Sequence, residues 1–139
     1  MFEVCRIWLV ALGAGMAAAG TAMVMIAGEP ALAPILRLLD RPFWPSGPDE
    51  TTRRFETWSY SVTFATMAGW GVCIASIAAN AFASRQAWAW WTIAAAIALW
   101  YPLDTGRSLR HRVRVNAALN TALLVAAAIP LALTFGEFR

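Results

Sequence analysis

Four stretches of this chain, residues 7–27, 58–79, 87–103 and 115–135, carry no charged side chain at all. The hydrocarbon core of a bilayer is about 30 Å thick, and about 20 helical residues cross it at about 1.5 Å each. Lipid offers nothing to an open backbone N–H or C=O, so a crossing segment closes its own hydrogen bonds as a helix. None of the four stretches alternates apolar and polar residues as a barrel strand does. The expectation is an all-α fold, a four-transmembrane-helix bundle forming a single integral membrane domain over residues 1–139.

Composition agrees. The chain is 60% apolar and 14% charged, against about 45–50% and about 25% for a soluble domain. Its 11 basic residues are all Arg, and they face 8 acidic ones. Two Cys are too few for a disulfide framework. One His excludes a His-based metal site. There is no Ser-His-Asp set and no phosphate loop. Catalytic residues, a metal and a cofactor are therefore not expected. A nucleic-acid partner is not expected either, because the net charge is only +3 and is tied to a bilayer surface.

The first stretch has some features of a cleaved signal peptide, with Arg6 before it and Ala31-Leu32-Ala33 after it. Its apolar part is longer than the about 7–15 residues of a signal core, so a retained span is expected.

The connections differ in kind. Gly28-Glu29-Pro30 ends the first helix, since Pro cannot continue it. Leu32, Ile35, Leu36 and Leu39 fall at i, i+3, i+4 and i+7, with Arg37, Asp40 and Arg41 mostly on the other side. This spacing predicts a short interfacial amphipathic helix over about 31–40, between the first and second spans. Pro42-Phe43-Trp44-Pro45 is expected at headgroup depth. Ser46-Gly47-Pro48-Asp49 reads as a turn. Asp49 can cap the next helix, with Glu50 favourable at the positive end of its dipole. The two later connections are short, which makes the second, third and fourth spans antiparallel neighbours. Trp8, Trp58, Trp88, Trp90, Trp91 and Trp100 lie near predicted span ends, as an aromatic belt requires, whereas Trp70 sits mid-span.

Arg placement predicts orientation. Arg37, Arg41, Arg53, Arg54, Arg107, Arg110, Arg112 and Arg114 lie on one side, and Arg6, Arg85 and Arg139 on the other. The richer side is expected to be cytoplasmic, with both termini outside. Arg107, Arg110, Arg112 and Arg114 are expected to contact anionic lipid headgroups, and His111 to sit at the same level.

Between spanning helices small residues allow close approach. Ala11, Gly15 and Ala19, with Gly20 beside them, form one stripe. Ala65, Gly69 and Cys73, with Gly71 nearby, form another. The two stripes are expected to face each other or to meet another copy. Cys73 is read as buried in that packing, and Cys5 lies at an interface.

The polar residues beside the spans carry most of the functional information. Tyr101, Asp104, Thr105 and Ser108 fall at i, i+3, i+4 and i+7, sharing a face if the helix continues past Pro102. Arg112, Asn116 and Asn120 are spaced by four on the next helix, and Ser59, Thr63 and Thr66 form a stripe on the second. The topology puts all three groups in one half of the bilayer, where they can converge on a polar pocket. Asp104 at such depth needs a partner, and Arg112 is the natural one, with Arg107 as the alternative. Intramembrane ionisable residues are functional candidates by default.

The stretch Trp100-Tyr101-Pro102-Leu103-Asp104-Thr105-Gly106-Arg107-Ser108-Leu109, followed by Asn116-x-x-x-Asn120-Thr121, resembles a family of small bacterial four-helix integral membrane proteins. The likeness extends to Arg41-Pro-Phe-Trp-Pro and to Met67-Ala-Gly-Trp-Gly71. It implies a multi-pass protein of a bacterial inner membrane and supplies no activity.

Three functional expectations result. The first is a non-catalytic membrane protein acting as an accessory subunit of a larger complex or as a homo-oligomer. The second is a small transporter, or a lipid- or small-molecule-binding protein, using the pocket around Asp104. The weakest is a membrane enzyme acting on lipid or isoprenoid substrates.

Overall fold

The computed structural model describes residues 1–30 and 32–138. Ala31, where the interfacial helix is expected to begin, and Arg139, counted among the cations of the opposite side, lie outside the described residues. Among the described residues the chain is helical, with no strand. The helices are α1 (Phe2–Met25), α2 (Ala33–Asp40), α3 (Glu50–Ile77), α4 (Ala87–Arg110) and α5 (Arg114–Thr134). A π-helical segment, Ala78–Phe82, continues α3, and a 3-10 turn, Phe135–Phe138, ends α5.

Three helical stretches are long and apolar enough to cross a membrane: Phe2–Met25, Glu50–Phe82 and Arg114–Phe138. α4 has the length, at 24 residues, but not the apolarity. Four Trp, Tyr101 and Pro102 dilute its aliphatic content, and Asp104, Arg107 and Arg110 occupy its last two turns. Of the four expected spans, three therefore meet both requirements. The outer surface is greasy: Ile7, Trp8, Val72, Trp91, Leu99, Leu119 and Ile129 all point outward. A soluble monomer rarely exposes so much contiguous apolar area.

α1 packs antiparallel along α3, and the approach is set by glycine. A Cβ on Gly13 would lie 2.5 Å from the Ala75 nitrogen, and one on Gly71 would lie 2.5 Å from the Ala17 nitrogen. A Cβ on Gly20 would lie 2.6 Å from the Phe64 oxygen. The buried face of α1 runs Cys5, Leu9, Gly13, Met16, Gly20. This corrects the expected register. Ala11, Gly15 and Ala19 face outward, as do Ala65, Gly69 and Cys73, and nothing lies within 4 Å of a Cβ on Gly15 or Gly69. Small residues at spacing four are plentiful in so Ala-rich a chain. The face that packs is the one that also buries Leu9 and Met16. Cys73 is accordingly exposed and Cys5 buried.

α4 packs along α5, and α5 also packs on α1. α3 and α4 are not packed along their length. They meet through the π segment and through Trp70 and Trp100, whose ring centroids lie 5.5 Å apart. The expected α3–α4 neighbour pair is thus splayed, which leaves a gap at the end where α3 begins and α4 finishes.

The two ends of the bundle differ. At one, Phe2, Phe82 and Phe138 form an aromatic plug, with Phe82 and Phe138 centroids 4.5 Å apart. Arg85 lies 4.8 Å over the Phe2 ring and 3.1 Å from Glu137. Trp90 Nε1–H donates to the Leu131 carbonyl at 2.9 Å, where α5 tightens into its final turn. The other end gathers α2, the start of α3, the end of α4 and the start of α5. Asp49 caps α3 as expected, its carboxylate accepting from Thr52 N–H at 2.7 Å. That bond holds the Asp49 carboxyl below its ordinary pKa.

Candidate functional site

α4 continues through Pro102 without a break, so Asp104, Thr105 and Ser108 do share a face with one another. That face turns to α5. Asn116 and Asn120 each donate Nδ2–H to Asp104 Oδ1 at 2.8 Å. Ser108 Oγ lies 3.2 Å from the same oxygen and 2.9 Å from the Asp104 carbonyl. The second N–H of Asn116 reaches Ser108 Oγ at 2.8 Å, and that of Asn120 reaches Thr105 Oγ1 at 3.3 Å. Both amides thus spend both donors inside the cluster. Thr105, Ser108 and Asn120 are buried, whereas Asp104 and Asn116 are half-buried.

One carboxylate oxygen therefore takes two amide N–H donors and a share of the Ser108 hydroxyl, and Oδ2 takes none of these bonds. The expected cationic partner is not there. Arg112 falls in the turn between α4 and α5, with left-handed backbone (φ 63°), and is exposed. The helix stops short of it, so it cannot continue the Asn116–Asn120 stripe. Arg107 is exposed and makes no ion pair with Asp104 among the described residues. Neutral amides replace the guanidinium because they sit one and two turns into α5, directly opposite Asp104.

Asp104 lines an open groove of about 320 Å³ in the α3–α4 gap. Ser59, Tyr60 and Thr63 form the α3 wall, and Arg107, Ser108 and His111 extend the α4 wall. Asn116 forms the floor with Val113, and Leu39 and Phe43 close the outer edge. Phe43 lies against His111, centroids 5.8 Å apart, tying the Pro-rich loop to the α4–α5 turn. Besides Arg112, two of the expected pocket residues stand apart. Thr66 is exposed and outside the groove, its hydroxyl returned to the Val62 carbonyl. Tyr101 meets Thr121 instead, 3.2 Å between oxygens. Since the Thr121 hydroxyl donates to the Ala117 carbonyl, Tyr101 is the donor. Arg107, Arg110, Arg112 and Arg114 are all exposed at this end.

A second polar group lies beside the groove and was not anticipated. Asp40, read from the sequence as part of a solvated face, is buried at the end of α2 and accepts a hydrogen bond from Tyr60 OH. Glu56, one turn before Tyr60, is also buried, and its Oε1 has no hydrogen-bond partner among the described residues. Glu56 precedes the apolar stretch of α3. A signal was present in the sequence: Leu32, Leu36 and Asp40 are spaced by four, which puts Asp40 on the inward face of α2.

The chain matches no protein-family model, and comparison with curated proteins and with solved structures finds no match. The Trp100–Thr121 resemblance thus adds nothing to the site beyond what its geometry carries.

Proposed function

We propose that this chain is a multi-pass membrane protein that works by binding, and that its binding site is the groove at Asp104. The observation that carries the reading is a carboxylate held by two amide donors and a shared hydroxyl, with no cation paired to it among the described residues, on the wall of an open groove. Amide and hydroxyl donors stabilise the anion without cancelling its charge. The groove therefore favours a ligand with a positive group, either a small molecule or a lipid headgroup. Moving that ligand across the bilayer would make the protein a small transporter.

In this reading α4 is a span as well, the third in chain order, packing on α5 and turning Trp88, Trp91 and Leu99 toward lipid. Both termini lie outside a bacterial inner membrane, and the polar end faces the cytoplasm. Arg107, Arg110, Arg112 and Arg114 then meet anionic headgroups. A second reading, an accessory subunit or homo-oligomer, is favoured by the outward stripes Ala11-Gly15-Ala19 and Ala65-Gly69-Cys73, which packing within the chain leaves uncovered.

Asp104→Asn removes the charge and keeps the shape. In lipid nanodiscs the unaltered protein is expected to bind ethidium, a lipophilic cation, more tightly than the anionic dye anilinonaphthalene sulfonate. Asp104→Asn should weaken ethidium at least ~10-fold, about 1.4 kcal/mol, with helicity unchanged. Equal ethidium affinity in the two proteins would remove the groove as a cation site.

A further inference from the structure

We propose that the cavity between α2 and α3 is a phospholipid headgroup site selective for a primary ammonium, the class to which phosphatidylethanolamine belongs. This site is separate from the Asp104 groove and does not depend on it. The cavity measures about 380 Å³, over ten times the ~30 Å³ that one water occupies in the liquid.

Glu56 lines it, is only 8% exposed, and keeps a buried oxygen with nothing to accept from. Buried polar atoms are almost always paired, and one left unpaired points to a missing donor. Asp40, on the same wall, already accepts from Tyr60. Arg37, Arg41 and Arg53 line the cavity as well. Among the described residues none of the three has a side-chain hydrogen bond or ion pair.

Guanidinium groups bind phosphate in charge-assisted pairs. Glu56 thus lacks a donor, and three exposed guanidinium groups beside it can take an anion. A phosphodiester carrying a primary ammonium supplies both in one headgroup. A choline headgroup has the charge but no hydrogen-bond donor, and a glycerol headgroup has O–H donors but no positive charge to meet the Glu56 carboxylate.

Placement favours a lipid over a soluble phosphoamine. α2, which forms one wall, exposes Ile35 and Leu38, and Phe43 and Trp44 follow it. An amphipathic helix with adjoining aromatics lies at headgroup depth.

The test is native mass spectrometry of the full chain released from nanodiscs of equimolar phosphatidylethanolamine, phosphatidylcholine and phosphatidylglycerol. Phosphatidylethanolamine should be retained at least ~10-fold over phosphatidylcholine. Glu56→Gln should erase that preference, while Arg53→Gln should lower retention of all three lipids. Soluble glycerophosphoethanolamine should bind far more weakly than the lipid. Equal retention of the ethanolamine and choline lipids by the unaltered protein overturns the proposal, whatever the variants do. So does a preference that survives in Glu56→Gln. Glycerophosphoethanolamine binding as tightly as the lipid overturns the assignment to a membrane ligand.

Discussion

Gly71→Ala is expected to destabilise the bundle by about 1–3 kcal/mol, the range of overpacking a close-packed site. Gly69→Ala, two residues away, should leave stability unchanged or raise it by about 0.5–1 kcal/mol. The opposite signs come from one structural fact. A methyl at Gly71 meets the Ala17 nitrogen at 2.5 Å and the Gly13 oxygen at 2.6 Å, both backbone atoms that cannot turn aside. A methyl at Gly69 meets nothing within 4 Å and only lowers the entropy lost on forming the helix. Gly13→Ala and Gly15→Ala should repeat the contrast on α1. Unfolding in mixed micelles followed by circular dichroism gives the four values. Equal effects at Gly69 and Gly71 would mean that α1 and α3 do not meet on this register.

Asn120→Leu should cost about 1.5–3 kcal/mol, the range for a hydrogen bond to a charged group. Asn120 is buried, and its amide reaches both Asp104 Oδ1 and Thr105 Oγ1. Leucine fills much the same space but strips the carboxylate of a donor. In Asp104→Asn the acceptor no longer carries full charge, so Asn120→Leu should cost less there. The shortfall in that double-mutant cycle measures the coupling directly. The same unfolding assay checks it, and strict additivity would mean that the two side chains do not interact.

How far the sequence reaches is clearest at these two places. The apolar stretches, the break at Pro30, the Asp49 cap and the shared face of Asp104, Thr105 and Ser108 follow from spacing and length. These are local rules that tertiary structure did not override. Which small residues pack did not follow. An Ala-rich helix offers several equivalent stripes, and the choice depends on where Leu9 and Met16 find room. The partner of Asp104 differs from the expected Arg112 for a related reason. Charge complementarity pointed to Arg112, but the turn ends α4 at Arg110 and puts Arg112 outside both helices. Asn116 and Asn120 were visible as a stripe, and their role as amide donors to the carboxylate required the α4–α5 register. Burial of Asp40 and Glu56 depends on how α2 folds back on α3, which no local pattern fixes beyond the Leu32-Leu36-Asp40 spacing.

The claim beneath all of this is that the helices carry the polar end of the bundle to one face of a bilayer and the aromatic plug to the other. Single-cysteine variants in a background lacking Cys5 and Cys73, reacted with a membrane-impermeant maleimide in sealed vesicles, test it most directly. Thr51→Cys and His111→Cys should label from the same side, and Arg85→Cys only from the opposite side. Labelling of His111→Cys and Arg85→Cys from one side, or of Thr51→Cys and His111→Cys from different sides, would contradict the account.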